Sequence, residues 1–345
     1  MLNNNQVMSI LQRAKKASIS YEDALFLFKQ SANPDVAMEI FKMASYVRDN
    51  EVGKYFKLDG EIAPIMPCLI DPFCNYCTFS RQVLSRSELI EGLKFASDLK
   101  LENLRLSGGS DLNDFGDAAV AFVELAKQHI DAKIHLNIGP TYSHENLVKL
   151  KALEIGEVGS SLETINEEAF RESKPGDSLD QRKQTAIDIS NMGIDLQSIM
   201  MAGLSYTDED YLTHIFWLKS MPTIKHVPIS RFDPKKGTPM ESKKRTSPWL
   251  AARLCAITRL VLRTVDIRIA AGGGPDDIPL WILAGGNRIT SIFIHKTSCE
   301  PERFEKENIQ VISREVHNNL EVVNRSEIAT IFASEMGFEV IGLKK

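Results

Sequence analysis

The sequence predicts an α/β fold, and within that class a TIM-type (β/α)8 barrel with an N-terminal helical layer and a short C-terminal extension. From residue 60 onward, short apolar strand patterns alternate with amphipathic helical patterns, which is the rhythm of parallel β/α units. Eight such units fit a closed barrel, for which about 250 residues are typical, and the chain has 345. An open, doubly wound sheet is the alternative.

The segment before the barrel pattern, residues 4–50, is predicted to be helical. Apolar residues recur at helical spacing from Ile10 to Ala17, and Ser20 is a candidate cap for a second helix. Residues 37–47 form a third amphipathic segment. We expect one structural unit with three parts, which are a helical extension over 1–52, the barrel over 53–298, and a C-terminal helix with the peripheral segment Glu327–Ile341 over 299–345.

Each barrel unit is predicted to contain one strand and one helix. In such a barrel the chemistry lies at the C-terminal ends of the strands, and polar or glycine-rich segments follow strand after strand here. The predicted strands are Ile62–Met66, Asn103–Leu106, Lys133–Asn137, Glu157–Ser160, Asp195–Met200, Lys225–Ile229, Asp266–Ala270 and Thr290–Ile294. The predicted helices are Arg86–Leu99, Asp117–Gln128, His144–Leu153, Ser178–Met192, Asp208–Lys219, Pro248–Arg263 and Pro275–Ala284.

The overall composition is that of an ordinary globular protein, with 43% hydrophobic and 25% charged residues. A net charge of −5 gives no basic field that would attract nucleic acid or anionic lipid. The N-terminus lacks the pattern of a signal peptide, and no apolar run approaches the ~20 residues that span a bilayer. We therefore expect a cytoplasmic protein without nucleic-acid or membrane partners.

Three of the five cysteines, Cys68, Cys74 and Cys77, form the pattern Cys-x5-Cys-x2-Cys. Thiolates bind soft metal centres, chiefly zinc and iron–sulfur clusters. A closed zinc site takes four ligands, and apart from Asp71 this stretch offers no fourth one. A cubane cluster held by three cysteines leaves one iron open to an external ligand. The pattern favours an iron–sulfur cluster, with zinc and a coincidental group of core cysteines as alternatives.

The other two cysteines, Cys255 and Cys299, stand alone in the sequence. An odd number of cysteines in a reducing compartment argues against a disulfide framework.

The Cys-x-aromatic-Cys half of the motif, with Tyr76 as the aromatic residue, resembles the signature of the radical S-adenosylmethionine (SAM) superfamily. The resemblance implies a 4Fe–4S cluster whose open iron is chelated by the amino and carboxylate groups of SAM, with Tyr76 near the adenine. The usual family spacing is Cys-x3-Cys-x2-Cys, so this chain carries two extra residues, for which Asp71 and Pro72 are candidates.

More SAM-binding residues are implied by resemblance to the biotin-synthase-like group, which includes the maturase HydE and methylornithine synthase. Ser107, Gly108 and Gly109 resemble the glycine-rich stretch that binds the methionyl amine through backbone groups, since glycine permits close backbone approach. The backbone near Ile229 is implied to flank the adenine. A tight turn is the alternative for the glycine pair.

Glu163 and Arg182 resemble the Glu and Arg that contact SAM from the end of the fourth strand and from the following helix. A carboxylate can hold an amine or a ribose hydroxyl, and a guanidinium can clamp a carboxylate with two hydrogen bonds. A buried ion pair at the barrel mouth is the alternative.

Candidate substrate residues are fewer. Asn137, Ser161 and Met201 are possible wall residues of the cavity, with core packing as the alternative. Arg231 at the sixth strand end points to an anionic substrate, unless its charge is only solvated.

The long cysteine loop in a biotin-synthase-like barrel resembles the HmdB (HcgA) subfamily, which accompanies the iron-only [Fe]-hydrogenase of methanogens. The resemblance implies a hydrogenase maturation role in biosynthesis of the iron-guanylylpyridinol cofactor, namely formation of its pyridinol ring. The expected partners are a small-molecule substrate, a one-electron donor and other cofactor-assembly proteins. A methylornithine-synthase-like mutase and a zinc-stabilised, non-catalytic assembly scaffold are the alternatives.

Overall fold

Parallel strand pairing runs around the sheet and returns to its first strand, so the sheet is a closed barrel. Strand β1 (Tyr55–Ile62) pairs with β2 (Asn103–Ser107) on one side and with β9 (Arg288–Lys296) on the other, both in parallel. The computed structural model describes residues 4–79, 82–139, 141–296, 313–317 and 319–344. The strands between β2 and β9 are β3 Lys133–Asn137, β4 Glu157–Gly159, β5 Leu196–Gln197, β6 Met200–Ala202, β7 Ile224–Arg231 and β8 Asp266–Ile269.

The barrel has eight staves because β5 and β6 together form one interrupted strand. Both pair in parallel with β7, which continues through eight residues opposite them. The predicted (β/α)8 barrel is confirmed, and the open sheet is excluded by the β1–β9 pairing. The single fifth strand predicted at Asp195–Met200 is therefore two short strands.

Helices pack against the outside of this barrel. Side-chain caps hold several of their N-termini, as where Ser85 and Glu88 form a reciprocal capping box. The helices are α1 Asn4–Ala14, α2 Tyr21–Gln30, α3 Pro34–Glu51, α4 Arg86–Asp98, α5 Asp117–Lys127, α6 His144–Ala152, α7 Glu167–Ser173, α8 Leu179–Asn191, α9 Asp208–Lys219, α10 Pro248–Leu262, α11 Ile278–Leu283 and α12 Ser326–Glu335. The short helix α7 was not predicted.

The N-terminal helices α1 to α3 share one hydrophobic cluster with α10 and with β7 and β8. Ile10, Ala37 and Ile40 are buried in it beside Leu254 and Ile257. The helical layer therefore buries its apolar stripe against the barrel wall and is part of the same core.

The first strand lies earlier than the predicted Ile62–Met66, because the chain leaves the sheet at Ala63. Pro64 has no N–H group to continue the ladder, whereas Phe56 and Leu58 alternate with inward polar residues as a half-apolar strand does.

The tail adds an antiparallel hairpin on β9, made of β10 (Ser313–His317) and β11 (Leu320–Asn324). The predicted segment Glu327–Ile341 is α12 followed by β12 (Glu339–Ile341), which pairs with the lower end of β1. Cys299 lies outside the described residues.

Candidate active site

The cysteine loop follows β1 and is fixed by backbone contacts on both sides. The Leu69 N–H donates to the Ser110 carbonyl at 2.8 Å, and the Asn75 N–H donates to the Ser173 carbonyl at 2.7 Å. Met240 donates its own N–H to the Asn75 carbonyl at 3.0 Å. The loop is thus held by the loops that follow β2 and β7 and by the end of α7.

The two glycines that face this loop leave no room for a side chain. A Cβ on Gly109 would collide with the backbone of Cys68, and a Cβ on Gly176 would collide with the carbonyl groups of Asp71 and Pro72. Asp71 and Pro72 are exposed, so the additional length of the loop lies on the surface above Gly176.

The three thiols, Cys68, Cys74 and Cys77, are half-buried and lie close enough to affect each other electrostatically. Burial, with a contribution from a neighbouring cysteine, raises the pKa of Cys74 to about 12 and that of Cys77 to about 11. Without a metal the side chains of Cys74 and Cys77 are therefore neutral thiols at neutral pH. Within the described ranges, no three His, Cys, Asp or Glu side chains converge closely enough to hold a single metal ion.

Tyr76 lies between two of the thiols in sequence and forms the lid of a small apolar cluster. Its ring packs on a group that joins the end of β6 to the loop after β7. The buried members of that group are Met201, Leu204, Phe232 and Met240. Burial, followed by the Glu163 carboxylate, raises the pKa of Tyr76 well above its usual range, so the hydroxyl stays protonated. This cluster presents an aromatic and thioether surface beside the cysteines.

The glycine-rich stretch after β2 lies against the cysteine loop. The Gly109 N–H donates to the Met66 carbonyl at 2.9 Å, and the Gly108 N–H donates to the Asn137 carbonyl at 3.2 Å. Ser107 is fully buried, and its Oγ has no hydrogen-bond partner in the part of the chain that the structure describes. The glycines therefore position the loop, and Ser107 keeps an unused hydroxyl.

Glu163 and Arg182 do not bond to each other, but two residues between them connect them. Lys174 Nζ lies 2.6 Å from Glu163 Oε2 and 3.1 Å from Asp177 Oδ2. Arg182 donates to both oxygens of Asp177, at 2.8 to 3.0 Å, and to Ser110 Oγ at 2.7 Å. These side chains form one charged row, from Glu163 through Lys174 and Asp177 to Arg182.

Charge attraction outweighs burial in this row. Burial opposes ionisation of Asp177, but Lys174 and Arg182 lower its pKa to about 2. Burial likewise opposes the charge of Arg182, but Asp177 raises its pKa above the usual range. Asp177 and Arg182 are therefore both ionised at neutral pH. Lys174 and Asp177 were not singled out in the sequence, where they appear as an ordinary loop after α7.

Glu163 occupies the left-handed region, with φ of 62°, a conformation that costs a non-glycine residue roughly 1–3 kcal/mol. Two backbone hydrogen bonds hold it there. Its N–H donates to the Ile199 carbonyl at 3.0 Å, and its carbonyl accepts from the Met201 N–H at 2.9 Å. The gap between β5 and β6 thus aims the Glu163 carboxylate toward Lys174.

The predicted substrate residues are only partly brought together. Ser161 Oγ donates to Asn137 Oδ1 at 3.1 Å, and the Gln197 amide approaches the same oxygen at 3.3 Å, so these side chains share the barrel interior. Met201 belongs to the Tyr76 cluster. Arg231 instead pairs with Asp277 at 2.8 Å. Ile229 is buried, two residues before Arg231 on the same strand.

The barrel interior below these residues contains charged side chains that the sequence analysis did not identify. Arg288 donates to Asp59 Oδ2 at 2.7 Å and to Glu157 Oε1 at 2.9 Å. Lys57 lies 2.7 Å from Asp266, which Arg288 also approaches at 3.3 Å. The available signal was the polar residue at every second position of several strands, which places these residues on one face.

A second group of charged side chains lies on the same inner face of the barrel, closer to the cysteine loop. Arg105 and Arg268 donate to the same hydroxyl oxygen, Thr290 Oγ1, at 3.1 and 2.5 Å. They also approach the same Glu61 oxygen, at 3.9 and 4.0 Å. Arg105 donates in addition to Gln197 Oε1 at 3.1 Å.

Two families of known sequences match this chain. Residues 68–218 match the radical SAM superfamily, and residues 228–315 match the biotin and thiamin synthesis associated domain. An uncharacterized protein of Methanocaldococcus jannaschii is 29% identical over 73% of this chain and 69% of its own length. Biotin synthase of a Hydrogenobaculum species is 24% identical over 76% of this chain and 82% of its own.

Solved structures support the same fold. Methylornithine synthase superposes with a TM-score of 0.75 at 18% identity, covering 97% of each chain. The [FeFe]-hydrogenase maturase HydG of Carboxydothermus hydrogenoformans also gives 0.75 at 18% identity, covering 99% of this chain and 80% of its own. At these identities the likeness concerns the fold.

The chain belongs to the radical SAM superfamily, a class of enzymes built on this barrel, and within it to the biotin-synthase-like group. Its cofactors are accordingly a 4Fe–4S cluster and SAM. The donor set fits, because a cubane cluster takes one thiolate per iron and the three thiols of the loop would leave one iron open. Among the described residues, no helix is both long and apolar enough to cross a membrane.

Proposed function

We propose that Cys68, Cys74 and Cys77 hold the 4Fe–4S cluster and that SAM binds between the cysteine loop and the charged row. The observation that supports this most strongly is the convergence of two segments, residues 68–77 and 163–182, on the same end of the barrel. Glu163 and Lys174 affect the ionisation of Cys74, which places the row within electrostatic reach of the thiols.

In this arrangement the two ends of the row, Glu163 and Arg182, contact different parts of SAM. The Glu163 carboxylate is an acceptor for the amine or ribose hydroxyls of SAM, and Arg182 is a donor for its carboxylate. Tyr76 and the backbone near Ile229 cover the adenine. Ser107, Gly108 and Gly109 line the part of the site that binds the methionyl group of SAM.

The cluster held by Cys68, Cys74 and Cys77 would supply one electron for reductive cleavage of SAM to methionine and a 5′-deoxyadenosyl radical, which would abstract a hydrogen atom from the substrate or add to it. The protein residues orient SAM over the barrel and exclude water from the cavity. Asn137 and Ser161 form a polar wall of that cavity, with Met201 on its apolar side. Arg231, paired with Asp277, lies at the rim.

The test is anaerobic reconstitution followed by reduction. Wild-type protein should bind about four irons per chain and release 5′-deoxyadenosine when dithionite and SAM are added. Cys74→Ala should lose the cluster and the cleavage, while Cys255→Ala should retain both, since Cys255 is buried in α10. Zinc as the bound metal and no cleavage under any reductant would instead support the scaffold alternative.

We further propose that the reaction serves hydrogenase maturation, in biosynthesis of the iron-guanylylpyridinol cofactor of [Fe]-hydrogenase, by forming the pyridinol ring. The length of the cysteine loop supports this, together with a relative in Methanocaldococcus jannaschii. Such an enzyme would work in the cytoplasm, with a one-electron donor and the other cofactor-assembly proteins.

The pathway test uses cells that make [Fe]-hydrogenase. Deletion of the gene should abolish the pyridinol, measured by mass spectrometry, and the wild-type gene should restore it while the Cys74→Ala gene should not. Normal pyridinol in the deletion strain would reject this role. Conversion of lysine to methylornithine by the purified protein would establish the mutase alternative.

A further inference from the structure

Arg105 and Arg268 form an unusual pair inside the barrel, because two cations share a single hydroxyl as their common partner. Thr290 Oγ1 accepts from both guanidiniums. Both side chains are buried, at 1% and 5% exposure. Buried guanidiniums normally have carboxylate partners that satisfy their donors.

Their donors are incompletely satisfied. Among the described residues, neither Arg105 Nη2 nor Arg268 Nε has a hydrogen-bond partner. Arg105 Nη2 lies 3.5 Å from Asp59 Oδ2, which already accepts a 2.7 Å hydrogen bond from Arg288. Unpaired buried donors of this kind are costly to keep, at about 1–3 kcal/mol each.

The carboxylates near this pair either accept hydrogen bonds from other cations or lie beyond hydrogen-bond distance of the two guanidiniums. Asp59 and Glu157 bond to Arg288, and Asp266 bonds to Lys57. Glu61 remains, but its oxygen lies 3.9 and 4.0 Å from the two guanidiniums, beyond hydrogen-bond distance. Among the described residues, neither guanidinium donates a hydrogen bond to a carboxylate, although Asp59 and Glu61 lie 3.5 to 4.0 Å from the pair and Asp59 Oδ1 has no hydrogen-bond partner.

The pair lies in the barrel interior. Arg105 is two residues before Ser107 on β2, so the two side chains lie on the same inner face, and the Ser107 hydroxyl is also without a partner among the described residues. Glu61 retains 12% of its side-chain exposure, which shows that solvent reaches this level. Burial, followed by repulsion from Arg105, lowers the pKa of Arg268 to about 9, a cost that a nearby anion would offset.

We propose that Arg105 and Arg268 bind a carboxylate of the substrate at the base of the cavity. The inference rests on the proposed radical SAM function and names the substrate class. A planar carboxylate matches the free donor edges of two guanidiniums, with Ser107 Oγ as an additional donor. The substrate is thus anchored from below while SAM lies above it, and Arg231 is not the anion site.

The test uses propionate as the probe and propionamide as its neutral isostere. With the cluster and SAM bound, about 20 mM propionate should raise the Tm of the wild-type protein by about 2 °C, and propionamide at equal ionic strength should not. Arg268→Gln and Arg105→Gln should abolish the shift. Arg268→Lys should retain part of it, since the charge remains. Arg253→Gln, on α10 outside the barrel, should keep the full shift.

The same samples report cluster content and SAM cleavage, which separates the two proposals. Wild-type protein that cleaves SAM but responds equally to propionate and propionamide overturns the carboxylate site alone. A shift with inorganic phosphate and none with propionate also overturns it. Failure of wild-type SAM cleavage would overturn the proposed function, whatever the anion response.

Discussion

Glu163 and Lys174 form a largely buried ion pair, with 2.6 Å between Oε2 and Nζ and side-chain exposures of 14% and 3%. The pair joins Glu163, which has a strained backbone beside the gap between β5 and β6, to the loop after α7. Because Lys174 also contacts Asp177 at 3.1 Å, its ammonium group lies between two carboxylates in a space from which water is largely excluded.

Removal of Lys174 alone should be strongly destabilising. Lys174→Met leaves the Glu163 carboxylate buried without its cation, and breaking such a pair from one side costs about 3–5 kcal/mol. The double variant with Glu163→Gln should recover part of this loss, because the uncompensated charge is gone. Both effects are measured by anaerobic urea unfolding of the wild type, the two single variants Lys174→Met and Glu163→Gln, and the double variant. A Lys174→Met protein as stable as wild type would show that the ion pair contributes nothing to the free energy of unfolding.

Arg182 should affect SAM and not the cluster. Arg182→Ala removes the donor proposed for the SAM carboxylate, and we expect affinity to fall by about tenfold or more, as for loss of a charged hydrogen bond. Iron content should remain that of wild type, since the thiols are untouched. Arg171→Ala, on the exposed face of α7, is the matched control. Isothermal titration under nitrogen gives both affinities, and unchanged affinity in Arg182→Ala would remove Arg182 from the SAM site.

Gly109 should be essential for the position of Cys68. In Gly109→Ala the new Cβ collides with backbone atoms of Cys68, which cannot rotate away as a side chain could. We expect a clear loss of bound iron after reconstitution. Gly274→Ala is the control, because apart from its chain neighbours no atom of the described residues lies within 4 Å of the added Cβ. Full iron content in Gly109→Ala would show that the loop can shift without losing the cluster.

His214 should make the fold sensitive to mild acid. Burial and the nearby Lys183 lower its pKa from 6.5 to about 3, so it is neutral in the folded protein. The unfolded chain binds a proton there below pH 6.5, so its contribution destabilises the fold as pH falls from 6.5 toward 3 and vanishes above 6.5. Between about pH 7.5 and about pH 5.5 this amounts to roughly 1.4 kcal/mol.

His214→Leu should remove that part of the pH dependence. The difference in unfolding free energy between the two pH values should then be smaller by the stated amount, measured by urea unfolding followed by circular dichroism. His226, whose pKa burial also lowers, stays in both proteins and cancels. Parallel pH profiles for the variant and wild type would show that His214 is not the titrating group.

The sequence predicted what is local and missed what depends on register. Cys68, Cys74, Tyr76 and Cys77 lie within one loop, so their proximity follows from chain connectivity. Arg105 and Arg268 come from β2 and β8 and meet only because the barrel closes. A polar residue on alternate strand positions indicates a shared face, but not which partner it meets across the barrel.

The same reason explains the charged row. Glu163 and Arg182 were identified individually, but the connection through Lys174 and Asp177 depends on α7, a helix of seven residues that shows too little periodicity to predict. The first strand was misplaced because its inward residues, Lys57, Asp59 and Glu61, make it look like a polar segment.

The length of the cysteine loop restricts which residue can occupy position 176. Any side chain at position 176 would strike the carbonyl groups of Asp71 and Pro72, so a lineage that acquired the longer loop had to have glycine at 176 already or acquire it at the same time. A graft of this loop into a relative with the shorter spacing would therefore have to transfer both segments together, as a single module.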